Sequence, residues 1–187
     1  MARSTTVSRT ARRLRTGLAA AVVAAAVLSA LPAAQASAAT PKIMIRNGAF
    51  PDYKLCASPT DDFVWLKPVG LNDPYCSWKQ LGSGNEGQFT LYSPAKDEIM
   101  YYTGGNEGLA MMGDNGDSPA GPNGELWTWG GRESWGSSAL QSYWDSGQNV
   151  DAKSPGTQGG PRADQVRTRG WRHGYQRELT WNAVPLN

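Results

Sequence analysis

The sequence predicts an all-β protein, and three observations support that prediction. Between Lys42 and Asn187, no stretch has apolar residues recurring at helical spacing over three turns. Short alternating or aromatic-rich runs recur instead, separated by clusters of Gly, Pro, Asn and Asp, and they predict twelve strands. The strands fall into three similar passages of four, and each passage ends on a tryptophan strand. The closing residues Trp78, Trp127 and Trp181 lie 49 and 54 residues apart.

Three four-stranded passages in one small domain favour a closed barrel with pseudo-threefold symmetry, the β-trefoil. Each passage alone is an open sheet with exposed edges, and closure removes most of those edges. We therefore predict a β-trefoil of three repeats, each of about 50 residues. The alternative is a β-sandwich, which explains the number of strands but not the spacing of the tryptophans.

The N-terminal 38 residues predict a secretory signal peptide. Five arginines and no acidic residue precede a 14-residue apolar run from Leu18 to Leu31, and Ala36-Ser37-Ala38 follows as a cleavage site. A membrane-spanning helix needs about 20 apolar residues, and Pro32 ends the run before that length. We expect residues 1–38 to be removed and residues 39–187 to form a single secreted, extracellular domain.

Charge and size exclude several classes of function. Without residues 1–38 the net charge changes from +2 to −3, so the chain lacks the clustered cations expected of a nucleic-acid-binding protein. Nothing after residue 38 is apolar enough to span a membrane. A domain of 149 residues buries about 70% of its unfolded surface, so we expect no metal or cofactor to be needed for folding.

The strands were assigned from their apolar alternation and the turn residues between them. The predicted strands are 42–46, 54–57, 63–67, 77–81, 88–92, 98–102, 109–112, 126–129, 140–144, 149–152, 165–168 and 179–184. Each passage opens on an apolar strand and closes on Trp78, Trp127 or Trp181. We predict these three rings, together with Trp65, to fill the core, whereas Trp135 and Trp144 are left unassigned.

Cys56 and Cys76 are the two cysteines of the chain. An even number of cysteines in an exported protein predicts one disulfide. Because the bridge closes a loop of about 20 residues, it should stabilise the fold by about 3 kcal/mol.

The chain resembles the ricin-B-type lectins, whose repeats carry a Cys in the second strand, a second Cys about twenty residues later and a closing Gln-x-Trp strand. Leu55-Cys56 followed by Cys76-Ser77-Trp78 is similar to that layout, as are Glu125-Leu126-Trp127 and the closing strand at Trp181. Cys76, Glu125 and Leu179 replace the family's Gln. The resemblance implies a β-trefoil and the binding of galactose-like sugars.

In that family each sugar pocket has an Asp in the second strand, a polar residue on the third strand and an aromatic ring shortly afterwards. A carboxylate accepts hydroxyl hydrogens, and a ring stacks on the apolar face of a sugar. In the first passage Ser58 stands in place of the Asp and Lys67 in place of the ring. The second passage has Tyr101 and Tyr102 with no second-strand acid beyond Glu98.

The third passage carries the residues that the resemblance assigns to a sugar pocket. They are Asp151, Gln165, Trp171, His173 and Tyr175. Two alternatives stay open: Asp151 caps a turn before Pro155, and Trp171 forms a cation–π cluster with its basic neighbours.

Catalytic chemistry finds little support in the sequence. His173 is the single histidine, so a histidine metal site or a Ser-His-Asp relay would have to be built around it. No Gly-x-Ser-x-Gly is present. The stretch Asp114-Asn115-Gly116-Asp117 lacks the Glu that closes a calcium loop, which favours a solvated turn.

We therefore expect a secreted, non-catalytic protein that binds carbohydrate, such as a cell-surface glycan or a polysaccharide. One alternative is a protease inhibitor of the Kunitz β-trefoil type, acting through the loop 114–125 or 154–164. The other alternative is an adaptor whose exposed aromatic residues bind a larger secreted protein.

Overall fold

The computed structural model describes residues 40–84, 86–105, 108–119, 121–130, 138–152, 165–171 and 176–186. All of them belong to one compact unit, Ala38–Asn187. The predicted signal peptide and its cleavage site lie outside the described residues and stay predictions. Nowhere in the described ranges is there a helix long and apolar enough to cross a membrane.

Twelve strands are present, and each predicted strand is found with its ends moved by at most two residues. The strands are β1 (Lys42–Asn47), β2 (Tyr53–Ala57), β3 (Val64–Pro68), β4 (Trp78–Gly82), β5 (Gln88–Ser93), β6 (Glu98–Tyr102), β7 (Ala110–Gly113), β8 (Trp127–Gly130), β9 (Ser138–Ser142), β10 (Gln148–Asp151), β11 (Arg167–Gly170) and β12 (Thr180–Pro185). The helical elements of the described residues are short 3₁₀ helices, among them Pro74–Cys76, Gly121–Glu125 and Arg177–Leu179.

Six of the strands close a barrel. Antiparallel pairing runs from β1 to β4, β5, β8, β9 and β12, and β12 returns to β1. The remaining strands form three hairpins, β2–β3, β6–β7 and β10–β11. The first and last strands of each repeat thus build the barrel, and the middle two form a hairpin. This is the predicted β-trefoil, with four strands in each repeat.

The three hairpins also contact one another with threefold symmetry. Three isolated β-bridges link the start of one third strand to the next repeat's third strand. The bridges are Phe63 with Met111, Leu109 with Arg167, and Gln165 with Trp65. Because the cycle passes through all three repeats and returns to the first, each hairpin has one neighbour on either side.

The three closing tryptophans lie in the core, as predicted. Trp78, Trp127 and Trp181 are at most 1% exposed. Each indole N–H donates to a main-chain carbonyl of the second strand of its own repeat. The acceptors are the oxygens of Leu55, Met100 and Val150, at 2.8, 2.9 and 2.9 Å. A buried indole without such a partner would lose the free energy of a hydrogen bond, so the repeated bond explains why a tryptophan closes every repeat.

Trp65 differs from the prediction that it belongs to the core. It lies on β3 between the buried Val64 and Leu66, so the alternation of the strand turns its ring outward, where it is half-buried. Its indole N–H donates to the Oδ1 of Asp61 at 3.3 Å, and the Nζ of Lys67 lies 5.7 Å from the ring centre.

The predicted disulfide is present. Cys56 on β2 is bonded to Cys76, the last residue of the 3₁₀ helix that precedes β4, and both residues are buried. The bridge thus joins the hairpin of the first repeat to the segment leading into its closing tryptophan.

Candidate functional site

The strand register defines which residues of the three repeats are equivalent. Leu55, Met100 and Val150 each accept the hydrogen bond of a closing tryptophan. The residue that follows each acceptor is therefore also equivalent. The residues that follow the three acceptors are Cys56, Tyr101 and Asp151, so these three residues are equivalent.

The same register changes the interpretation of the third-repeat pocket. Ser58, which stands in place of the family's Asp, lies three residues after the carbonyl acceptor, and its equivalent in the second repeat is Thr103. Asp151 is two residues earlier and takes the place of Cys56. Lys67, which stands in place of the family's aromatic ring, is paired with Lys54. The equivalent pair in the third repeat is Arg169 with Asn149.

Asp151 is only 2% exposed and belongs to an ion triad with the buried Arg169 and the partly exposed Glu178. The Nε of Arg169 donates to its Oδ2 at 2.8 Å, and the Nη2 of Arg169 donates to the Oε1 of Glu178 at 2.8 Å. Burial by itself lowers the pKa of Arg169, but the hydrogen bonds and charges of Asp151 and Glu178 outweigh burial and raise it above its usual value. The hydrogen bonds of the triad fix β10 to β11 and to the segment before β12.

The other predicted site residues are separated. Gln165 is 5% exposed, lies where the hairpins meet, and its Oε1 has no hydrogen-bond partner among the described residues. Trp171 follows the end of β11 and is 41% exposed. His173 and Tyr175 lie outside the described residues. Trp171 is thus the one predicted residue that the described structure places at the surface, and sugar binding by Asp151 or Gln165 stays a prediction.

Besides Trp171, a pair of exposed rings lies in the turn between β9 and β10. We call residues 143–147, Tyr-Trp-Asp-Ser-Gly, the aromatic turn. Tyr143 is 43% exposed and Trp144 is 47% exposed, and the exposed Asp145 follows them. This feature was not predicted, because the ninth strand was expected to continue to Trp144, whereas the strand ends at Ser142.

Hydrogen bonds stiffen the aromatic turn. The main-chain N–H of Asp145 donates to the Oγ of Ser142 at 3.3 Å, and the N–H of Gly147 donates to the Oδ1 of Asp145 at 3.0 Å. The N–H of Gln148 then donates to the carbonyl oxygen of Asp145 at 2.8 Å. A turn held at both ends presents its rings with little conformational entropy left to lose on binding.

Trp144 rests on a rigid support from the second repeat. Its ring centre lies 5.8 Å from that of the buried Tyr102, at an interplanar angle of 59°. Gly104 has a φ of +93°, and a Cβ on it would lie 3.4 Å from the Trp144 ring. The hydroxyl of Tyr102 donates to the carbonyl oxygen of Gly105. Burial raises the pKa of Tyr102, and the charge of Asp145 adds to this effect. A hydrogen bond with Thr168 lowers the pKa but does not cancel the rise.

Trp171 emerges at the same end of the β10–β11 hairpin as the aromatic turn. Gly170, its neighbour, pairs with Gln148, the first residue after the turn. Among the described residues five large apolar side chains are exposed, and three of them are Tyr143, Trp144 and Trp171. The exposed aromatic surface is therefore concentrated where the third repeat meets the second.

The loop 114–125, predicted as one possible inhibitory loop, is tied back onto the barrel in its described part. Glu125 is 2% exposed, and its Oε1 accepts from the N–H of Gly116 at 2.6 Å. The Oδ2 of Asp117 accepts from the N–H of Asp114 at 2.9 Å. The other predicted inhibitory loop, 154–164, lies outside the described residues. Within the described segments no three His, Cys, Asp or Glu residues are grouped as metal ligands.

Comparison with known proteins gives a match in structure only. No family model and no curated protein sequence matches the chain. A mosquitocidal holotoxin matches with a TM-score of 0.63 and 13% identity, covering 79% of this chain and 17% of its own. ThreeFoil, a designed protein with threefold symmetry, matches with a TM-score of 0.61 and 14% identity over 78% of this chain and 99% of its own. A Polyporus squamosus lectin, solved with a human-type influenza-binding epitope, matches with a TM-score of 0.59 and 15% identity over 77% of this chain and 48% of its own.

These similarities show the fold. The designed protein matches over nearly its whole length and shares the threefold symmetry that the strand pairing shows here. The chain spans about half of the Polyporus lectin and less than a fifth of the holotoxin. At these identities the fold similarity does not carry over a particular function.

Proposed function

We propose that this protein is a secreted, non-catalytic carbohydrate-binding protein and that the aromatic turn is its sugar-binding surface. The observation that carries the proposal is the exposure of two adjacent rings, Tyr143 and Trp144, beside the exposed carboxylate of Asp145 in a hydrogen-bonded turn. Trp171 extends the same surface. The similarity of the fold to a solved lectin supports this function.

The chemistry of the turn suits a sugar ring. The apolar face of a pyranose stacks on an indole or a phenol, and its hydroxyls donate to a nearby carboxylate. The Oδ1 of Asp145 already accepts a hydrogen bond from the N–H of Gly147. We therefore expect its Oδ2 to accept the hydrogen bond from a sugar hydroxyl. A single shallow platform binds a monosaccharide weakly, so we expect the ligand to be a glycan or polysaccharide that offers repeated units.

The test is a glycan array followed by affinity electrophoresis in the polysaccharides that bind. Trp144→Ala and Asp145→Asn should each weaken retention by about ten-fold, the loss of one stacking contact or one charge-assisted hydrogen bond. Leu71→Ala is the matched control, because Leu71 is also exposed and apolar and does not belong to the aromatic turn. Thermal unfolding should stay close to wild type in all three variants.

Two outcomes would contradict the proposal. Retention that survives both Trp144→Ala and Asp145→Asn would remove the aromatic turn as the binding surface. An array without any bound glycan, combined with micromolar inhibition of a trypsin-like or papain-like protease, would favour the inhibitor alternative.

Export is tested separately. Expression of the full chain in a secreting host should yield extracellular protein whose N-terminus, read by mass spectrometry, is Ala39. Protein found only inside the cell with residues 1–38 attached would contradict secretion.

A further inference from the structure

The first repeat carries a row of cations that the proposed sugar-binding surface does not use. Arg46 on β1 is directly opposite Lys54 on β2, and Lys54 is directly opposite Lys67 on β3. Residues that face each other across an antiparallel pair project from the same side of the sheet. Because neighbouring strands lie about 4.8 Å apart, the row crosses about 10 Å of surface.

A further cationic pair continues the row along β1. Lys42 is opposite Lys79 on β4, and Lys42 lies four residues from Arg46, on the same side of the strand. We call Lys42, Arg46, Lys54, Lys67 and Lys79 the basic face. Like charges placed directly opposite each other destabilise a sheet, and the first repeat has three such pairs.

Two of these cations have partners other than carboxylates: the Nζ of the buried Lys54 donates to the carbonyl oxygen of Leu71, and Lys67 lies beside the Trp65 ring. None of the five cations forms a salt bridge with another described residue. The Nε of Arg46 is buried without a hydrogen-bond partner. Burial lowers the pKa of Lys54, the charge of Asp73 opposes that effect, and the charge of Arg46 adds to it.

A groove of about 360 Å³ lies beside the basic face. Lys42, Met44 and Lys54 line one part of it, and Asp73 is the one acidic residue among its described lining residues. The Oδ1 of Asp73 accepts from the N–H of Tyr75 at 3.0 Å. Of the basic face, Lys42 and Lys54 line the groove; Lys42 is exposed, whereas Lys54 is 5% exposed.

We propose that the basic face and its groove form a second binding site, for an acidic polysaccharide that carries carboxylate or sulfate groups. A chain with regularly spaced anions relieves several like-charge contacts at once, which a single small anion cannot do. The site is independent of the aromatic turn, and because the mature chain has a net charge of −3, attraction of a polyanion depends on a local cluster of cations such as this face.

The test measures retention of the purified protein in affinity electrophoresis with polygalacturonate, dextran sulfate and neutral dextran. We expect retention by a charged polymer that falls as salt increases, and none by neutral dextran. Comparing the retention by polygalacturonate with the retention by dextran sulfate shows whether carboxylate or sulfate is the preferred anion. Lack of retention by both charged polymers at low salt would overturn the proposal, and equal retention by double-stranded DNA would overturn the assignment to a saccharide.

Two variants assign the site. Lys42→Gln and Lys79→Gln should each weaken retention by about five-fold, the contribution of one exposed ion pair. Arg177→Gln removes the same charge from an exposed residue outside the basic face and is the matched control. An equal effect of Arg177→Gln would mean that net charge alone is responsible.

Two further readouts separate this site from a structural role and from the sugar-binding proposal. Because Lys42→Gln and Lys79→Gln each remove a like-charge contact, they should leave the midpoint of thermal unfolding unchanged or raise it while retention falls. A lowered midpoint in both variants would overturn the proposal. Trp144→Ala should leave polyanion retention intact, so failure of one site is distinguishable from failure of the other.

Discussion

The first and third repeats solve the same structural problem with different chemistry. In the first repeat, Cys56 on the second strand is bonded to Cys76, two residues before the closing tryptophan. In the third repeat, the equivalent of Cys56 is Asp151, which is paired through Arg169 to Glu178. Both connections join the hairpin to the segment that leads into the tryptophan. One is covalent and the other is electrostatic.

The difference shows that the position of Cys56 and Asp151 serves to connect the hairpin to the closing segment, and that either a covalent bond or an ion pair can make the connection. A disulfide acts mainly on the unfolded chain by restricting it. The ion triad does not restrict the unfolded chain, and desolvation of its buried pair, Asp151 and Arg169, offsets much of their attraction. The third repeat therefore depends on all members of the triad being present, whereas the first depends on one bond.

The most damaging change predicted by this comparison is Asp151→Ala. Among the described residues it leaves the buried Arg169 guanidinium with Glu178 as its one remaining partner, so the free energy of unfolding should fall by about 4 kcal/mol. Urea unfolding measures the loss. Asp145→Ala, which removes an exposed carboxylate of the same repeat, is the control and should have a much smaller effect.

The double variant Asp151→Leu/Arg169→Met sharpens the same test. Replacing a buried ion pair by apolar residues is often neutral, so stability should return to within about 1 kcal/mol of wild type. A loss below about 1 kcal/mol for Asp151→Ala alone would mean that water reaches the carboxylate. Asp151 would then again be a candidate sugar ligand.

Removal of the disulfide should have the second largest effect. Cys56→Ala/Cys76→Ala opens a loop with a sequence separation of 20 and should lower the free energy of unfolding by about 3 kcal/mol. Thiol titration of the denatured wild-type protein should find no free thiol. Two titratable thiols, or an unchanged midpoint in the double variant, would contradict the covalent connection.

The second repeat gives the smallest expected effect. Glu125 occupies the position of Cys76 and Leu179, is buried, and accepts from the N–H of Gly116. Glu125→Gln keeps an acceptor at that site, so the free energy of unfolding should change by about 1 kcal/mol or less. A loss as large as that of Asp151→Ala would show that the second repeat also depends on a buried charge.

The strands, the tryptophan core and the disulfide were predictable because each leaves a local signal. Apolar alternation marks the strands, and Trp78, Trp127 and Trp181 recur at the ends of the repeats. The equivalence of Asp151 was not found, because loops of unequal length separate the second strand from the closing one. The apolar residues on either side of it, Val150 and Ala152, match the pair around Cys56 and were the signal that could have aligned the repeats.

The two proposed binding surfaces depend on contacts between strands, and for Trp144 between repeats, which a single sequence does not display. Trp144 is exposed because its strand ends at Ser142, and it is held in place by Tyr102 from another repeat. The basic face depends on the register of four strands. Arg46, Lys54 and Lys67 are far apart in a chain of mixed charge, and only the pairing aligns them.

Each indole of the core bonds a carbonyl within its own repeat rather than in a neighbouring one. With respect to these bonds the three repeats are independent. A substitution that removes the indole hydrogen bond of one repeat leaves the indole bonds of the other two in place. That independence is compatible with three different residues, Cys76, Glu125 and Leu179, at the equivalent position two residues before the closing tryptophan.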